Sequence, residues 1–67
     1  MEIRLNGEPW QAPGDRLAEL LRQHAIDPGK PGVAVAVNAA VVPRRLWTTA
    51  TLSPGDAVEI VRPHSGG

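Results

Sequence analysis

The sequence predicts an α+β fold in which a mixed sheet wraps around a single helix. Three observations lead there. Only one stretch, from Asp15 to about Ala25, spaces its apolar residues as a helix does. Extended segments lie on both sides of it. One helix covers only one face of a sheet, and 67 residues leave no room for a second core, so the two must share one.

Each element follows in order. Glu2 to Asn6 (EIRLN) alternates, with Ile3 and Leu5 on one face, and reads as a half-buried strand. Asn6-Gly7 is a strong hairpin signal, because both residues tolerate positive φ. Glu8 to Ala12 returns as a second strand, placed at an edge because Pro9 cannot donate to a ladder. Asp15 is a candidate N-cap for a helix ending near His24 or Ala25, with Leu17, Leu20, Leu21 and His24 on its apolar stripe. DPGKPG, Asp27 to Gly32, is a loop. Val33 to Asn38 is apolar on both faces and reads as a central strand, valines on one side and Ala34 and Ala36 on the other. AAVVP is a further short extended piece, Pro43 to Trp47 one helical turn, and Thr48 to Leu52 a short extended segment. SPGD is a turn with proline in its second place. Ala57 to Arg62 is the last strand, with Val58 and Ile60 on one face and Ala57, Glu59 and Val61 on the other.

The order β-β-α-β-β-β, with an antiparallel first hairpin and the last strand beside the first in the middle, is the β-grasp or ubiquitin-like arrangement. It assigns residues 1–62 to the domain and residues 63–67 to a flexible C-terminal tail.

Composition excludes several functions. There is no Cys, hence no disulfide, thiolate metal site or thiol nucleophile, and the two histidines lie far apart in sequence. Seven basic residues balance seven acidic ones, and Phe and Tyr are absent, which argues against a nucleic-acid partner. The longest apolar run, Val33 to Val37, is far below a membrane span, and the N-terminus reads as a strand, not a signal peptide, so the expected location is the cytoplasm. No paired carboxylates, nucleophile–base pair or phosphate loop is visible, and an enzyme is not expected. A free monomer is.

The chain ends on Gly66-Gly67. At roughly 7% average glycine usage, two glycines in two chosen positions occur about once in two hundred chains. The outward sheet face, with small or apolar Ala34, Ala36, Ala57 and Val61, is the expected docking surface, and Arg62 at the root of the tail is a candidate partner for a carboxylate. The other conspicuous residues have structural readings. Asn38, Pro43 and Arg44 read as turn chemistry and a solvated charge, Trp47 as a core anchor and Trp10 as a partly exposed edge aromatic. His24 reads as a helix-end residue and His64 as a solvated tail residue.

The stretch Ala36 to Trp47, AVNAAVVPRRLW, resembles the ThiS family of ubiquitin-like sulfur carriers of thiamin thiazole synthesis. Asn38, Val42-Pro43-Arg44 and Trp47 carry the likeness, with SPGDAVEIV and the terminal Gly66-Gly67. It extends over essentially the whole chain, although the RPHS stretch is more polar than the family suggests. The resemblance implies a carrier whose Gly67 carboxylate is adenylated by an E1-like enzyme using ATP and converted to a thiocarboxylate. A cysteine desulfurase or related persulfide donor would supply the sulfur, and thiazole synthase would accept it. The chain itself would bind no cofactor or metal. Glycine suits such a carrier, because without Cβ both Gly66 and Gly67 pass a narrow channel, following Ser65. Five extended residues reach roughly 16 Å at about 3.3 Å each. With no cysteine, the sulfur has to ride on the terminal carbon. The alternatives are the same chemistry serving molybdopterin or another metabolite, a ubiquitin-like protein modifier, and a plain interaction module.

Overall fold

A computed structural model provides the structure, which describes residues 1–62. Strands β1 (Glu2–Leu5) and β2 (Glu8–Gln11) precede helix α1 (Leu17–Gln23); β3 (Ala34–Val37), β4 (Ala40–Val41), a 3-10 turn (Arg44–Leu46) and β5 (Ala57–Val61) follow. The five strands form one sheet in the order β2-β1-β5-β3-β4. β5 lies in its centre beside β1, as expected; it runs parallel to β1 and antiparallel to β3. The split between domain and tail falls at the limit of the described residues. Pro63, His64, Ser65, Gly66 and Gly67 lie outside them.

Two tight hairpins shape the sheet. Asn6 (φ 50) and Gly7 (φ 85) turn β1 into β2 with both residues at positive φ. Asn38 (φ 51) and Ala39 (φ 68) do the same between β3 and β4. Only Asn38 marks this second hairpin in the sequence, because Ala is a poor choice for positive φ. Pro9 sits on edge strand β2, where its missing N–H costs no ladder bond.

The core lies between the sheet and α1. Ile3 and Leu5 from β1, Val35 from β3, and Val58 and Ile60 from β5 cluster with Leu17, Leu20 and Leu21 of the helix and with Ile26, Leu52 and Trp47. The three leucines form the predicted stripe. His24 is only half-buried.

The helix starts differently from the expectation. Asp15 is not its N-cap. That place belongs to Arg16, which is extended (φ −100, ψ 130) and gives no side-chain capping bond. The reason is tertiary. Residues 15–17 run beside residues 50–52: Arg16 bridges Thr51, Leu52 N donates to the Asp15 carbonyl (2.7 Å), and Leu17 N donates to the Ala50 carbonyl (3.1 Å). A passing segment thus satisfies the helix start instead of a side chain. The same arrangement corrects the reading of Thr48 to Leu52 as an extended segment. Thr48 and Thr49 continue the turn, and only Thr51 makes a bridge. The helix ends as predicted at His24 and Ala25. Ile26 N donates to Leu21 O (2.9 Å), Ala25 N to Arg22 O (3.0 Å), and Ala25 stands at φ 58. This is a Schellman closure, with the buried Ile26 supplying its apolar contact.

Candidate functional site

The face of the sheet turned away from α1 is built by strand alternation. In β5, Val58 and Ile60 point into the core, so Ala57, Glu59 and Val61 point out. β3 lies beside it with Ala34 opposite Val61 and Ala36 opposite Glu59, and β4 brings Val41 opposite Ala36. The result is a shallow depression lined by Ala34, Ala36, Val41, Glu59 and Val61. Val41 and Val61 stand 74% and 62% exposed on its sides, unusual for valines in a small chain.

Of the predicted docking residues, the structure brings Ala34, Ala36 and Val61 together. Ala57 shares the face but lies toward β1, opposite Arg4. Arg62 is not with them. It follows the helix-side alternation of Val58 and Ile60, and its Nη2 donates to the His24 carbonyl at 2.8 Å. Val41 joins the face without any signal in the sequence. The run Ala39 to Val42 does not alternate, and only the hairpin register, with Val37 opposite Ala40, shows which valine faces out.

The residues of the Ala36 to Trp47 stretch hold this face in place. Trp47 is the expected core anchor: it is buried, and its indole N–H donates to the Val42 carbonyl (2.9 Å). Asn38 performs the expected turn chemistry and more. Its Oδ1 accepts from Ala57 N (2.9 Å), and its Nδ2 donates to Asp56 Oδ1 (3.0 Å). Arg44 corrects the expectation of a solvated charge. Its guanidinium lies 4.6 Å from the Trp47 ring centroid, and Nη1 donates to the carbonyls of Pro28 (2.5 Å) and Lys30 (2.7 Å). The loop after α1 presents two carbonyls to this side chain, and a cation lying over the indole reaches both.

At the opposite edge, Trp10 is 37% exposed, as an edge aromatic should be. Its indole N–H donates to Gln23 Oε1 (3.0 Å), and its ring lies 4.9 Å from that of His24. His24 is the C-cap residue of α1, at the helix end expected of it. His64, Ser65, Gly66 and Gly67 are outside the described residues. Among the described residues the outward face carries no constellation suited to bond-making.

Comparison with known proteins matches this arrangement. Residues 3–67 match the model of the ThiS family. The chain is 34% identical over 68 residues to the sulfur carrier protein ThiS of Escherichia coli (strain K12), covering all of both chains. It superposes on the crystal structure of the thiamine biosynthesis protein ThiS from Geobacter metallireducens with a TM-score of 0.77, at 30% identity and full coverage of both chains. On a solution structure of a thiamine biosynthesis protein from the same organism the TM-score is 0.79, at 28% identity, covering all of this chain and 88% of the other. The mixed sheet around one helix is thus the predicted β-grasp, and the chain belongs to the ThiS family, the sulfur carriers of thiamin biosynthesis.

Proposed function

We propose that this carrier works through the carboxylate of Gly67, as a co-substrate of partner enzymes and without catalysis of its own. The chemistry explains why activation is needed. A carboxylate is a poor electrophile, because its leaving group would be oxide. Joining it to AMP, with pyrophosphate leaving ATP, makes a mixed anhydride. A sulfur nucleophile then displaces AMP: sulfide gives the thiocarboxylate directly, whereas a persulfide gives an acyl disulfide whose S–S bond a thiol reductant must cleave to release it. ATP and the adenylating site belong to an E1-like partner, the sulfur to a donor such as a cysteine desulfurase, and the acceptor is thiazole synthase. The chain holds no cofactor of its own, acts as a monomer and works in the cytoplasm.

The observation that supports this most is the extent of the family match. It begins at Ile3 in the first strand and runs through Gly66 and Gly67. In the same reading, the outward face with Ala34, Ala36, Ala57 and Val61, joined by Val41, docks against the partners while Ser65 and Gly66 lead the end into their active sites. A contact face without reacting groups fits a carrier better than an enzyme.

The test is the intact mass of the full chain after incubation with its adenylating partner, ATP and a sulfur donor. A gain equal to exchange of one oxygen for sulfur, located at Gly67 and lost when Gly67 is deleted, is the expected result. Isopeptide-linked conjugates in place of that gain would overturn it in favour of a protein modifier. Transfer of the sulfur to thiazole synthase, tested against a molybdopterin-forming acceptor, assigns the pathway.

A further inference from the structure

Glu59 puts a carboxylate in the middle of an apolar face. β5 is the central strand of the sheet, so its outward residues lie in the interior of that face and not at an edge. Along the strand the neighbours of Glu59 on this side are Ala57 and Val61, and across the ladder it pairs with Ala36 of β3. It lines the shallow depression with Ala34, Ala36, Val41 and Val61, and among the described residues it is the only charged one to do so.

Among the described residues no basic side chain forms an ion pair with this carboxylate. The polar side chains around the same strand are engaged elsewhere. Asn6, next after β1, gives its carboxamide to Ile60: Oδ1 accepts from Ile60 N (2.8 Å) and Nδ2 donates to the Ile60 carbonyl (3.3 Å). Arg4, opposite Ala57, donates through Nη2 to the Gly7 carbonyl at 2.7 Å. Asn38 holds Ala57 N and Asp56. Exposed, the Glu59 carboxylate keeps its hydration. Covered by a partner, it loses that hydration, and a buried charge left unpaired is expensive. A partner that met the valines and alanines by apolar contact alone would bury it unpaired. A cation brought against Glu59 removes that penalty, and does so only for a partner that carries one in the right place.

We infer that Glu59 selects the protein that docks on this face: the partner presents a basic side chain to the Glu59 carboxylate, surrounded by apolar groups that meet Ala34, Ala36, Val41 and Val61. This rests on the reading of the face as the docking surface. Val41 and Val61 supply contact area, and Glu59 supplies discrimination. A carboxylate left solvated at the margin of the contact would act differently. It would change the association rate and fade with salt. One buried without a cation would differ in sign, because its removal would tighten the complex.

The test measures association and dissociation rates of the full chain on its immobilised E1-like partner by surface plasmon resonance, at low and high salt. It compares wild type, Glu59→Gln, Glu59→Lys and Val61→Asn, the last an uncharged polar change in the same depression. Thermal melts check that each variant is folded. Glu59→Gln keeps the shape and removes the charge, so it should dissociate at least about tenfold faster at both salt concentrations, and Glu59→Lys faster still. Val61→Asn should also weaken the complex. Binding of Glu59→Gln equal to or tighter than wild type, with Val61→Asn weakened, overturns the inference and leaves the reading of the face intact. An effect of Glu59→Gln confined to association and lost at high salt overturns it in favour of steering from outside the contact. Undiminished binding of all three variants puts the docking surface elsewhere and overturns the reading of the face and the inference together.

Discussion

The carboxamide of Asn38 joins the β3–β4 hairpin to the turn that launches β5: Oδ1 accepts from Ala57 N at 2.9 Å while Nδ2 donates to Asp56 Oδ1 at 3.0 Å. Asp56 is engaged on its other oxygen too, accepting from Ser53 N at 2.8 Å. One side chain thus sets the register of the central strand against its neighbour. It does so from positive φ (51), which Asn tolerates better than most residues.

This separates two costs that a single substitution would merge. Asn38→Gly keeps the backbone freedom and loses only the side-chain bonds, about 1 kcal/mol. Asn38→Ala loses the bonds and adds left-handed strain, about 2 kcal/mol together. Urea denaturation of the two variants should rank them in that order. Equal costs would mean that the conformation at residue 38 carries no strain.

Trp47 is the largest fully buried side chain among the described residues. Trp47→Ala removes its volume and orphans the Val42 carbonyl, at about 3–5 kcal/mol. A domain of this length holds only about 3–10 kcal/mol in total, so the variant should be largely unfolded at growth temperature. Trp47→Phe keeps most of the ring and loses the indole N–H, and should melt cooperatively at a lower temperature. Circular dichroism melts distinguish the two.

Arg44 is expected to act on a loop it does not belong to. Arg44→Ala releases the Pro28 and Lys30 carbonyls and uncovers one face of the Trp47 ring, costing about 1–2 kcal/mol. The amide of Lys30, bonded to the Asp27 carbonyl at 3.0 Å, should exchange faster with solvent. Arg44→Lys should restore only part, because an ammonium does not stack flat on an indole. An unchanged Lys30 amide in Arg44→Ala would show that the loop holds itself.

The outward face should be separable from the fold. Val41 and Val61 are exposed, so Val41→Glu and Val61→Glu remove no core packing and should cost no more than about 1 kcal/mol in strand preference. If this face docks as proposed, each should weaken binding to the proposed E1-like partner by at least about tenfold, because charge is then placed in an apolar contact. Titration calorimetry beside thermal melts reads both effects. Undiminished binding with both variants would move the docking surface elsewhere.

Much of this protein is legible locally. Alternation in Glu2 to Leu5 and Ala57 to Val61 identifies two strands and the face each residue takes, because a period of two is a property of the extended backbone itself. Asn6-Gly7 marks its hairpin, Leu17, Leu20 and Leu21 their buried stripe, and Trp47 its place in the core. The resemblance carried by Asn38, Val42-Pro43-Arg44 and Trp47 points to the family that the whole-chain comparison establishes. Gly66-Gly67 suggests the chemistry, on residues the structure does not describe.

What the tertiary structure alone decided involves partners distant in sequence. Asp15 has the composition of a helix cap, yet residues 50–52 pass close enough to satisfy the helix start, and no cap is needed. Arg44 has the composition of a surface charge, yet two carbonyls from the loop after α1 lie within its reach. Val41 and Val42 are equivalent in sequence, and only the hairpin at Asn38-Ala39 turns one outward and the other toward the core. Arg62 adjoins the outward-facing Val61, yet the helix end lies on the other side of the sheet, and the side chain goes there. In each case the local chain allows several outcomes of similar energy. A hydrogen bond or contact worth about 1 kcal/mol chooses among them, and whether it forms depends on which segments the assembled sheet places side by side.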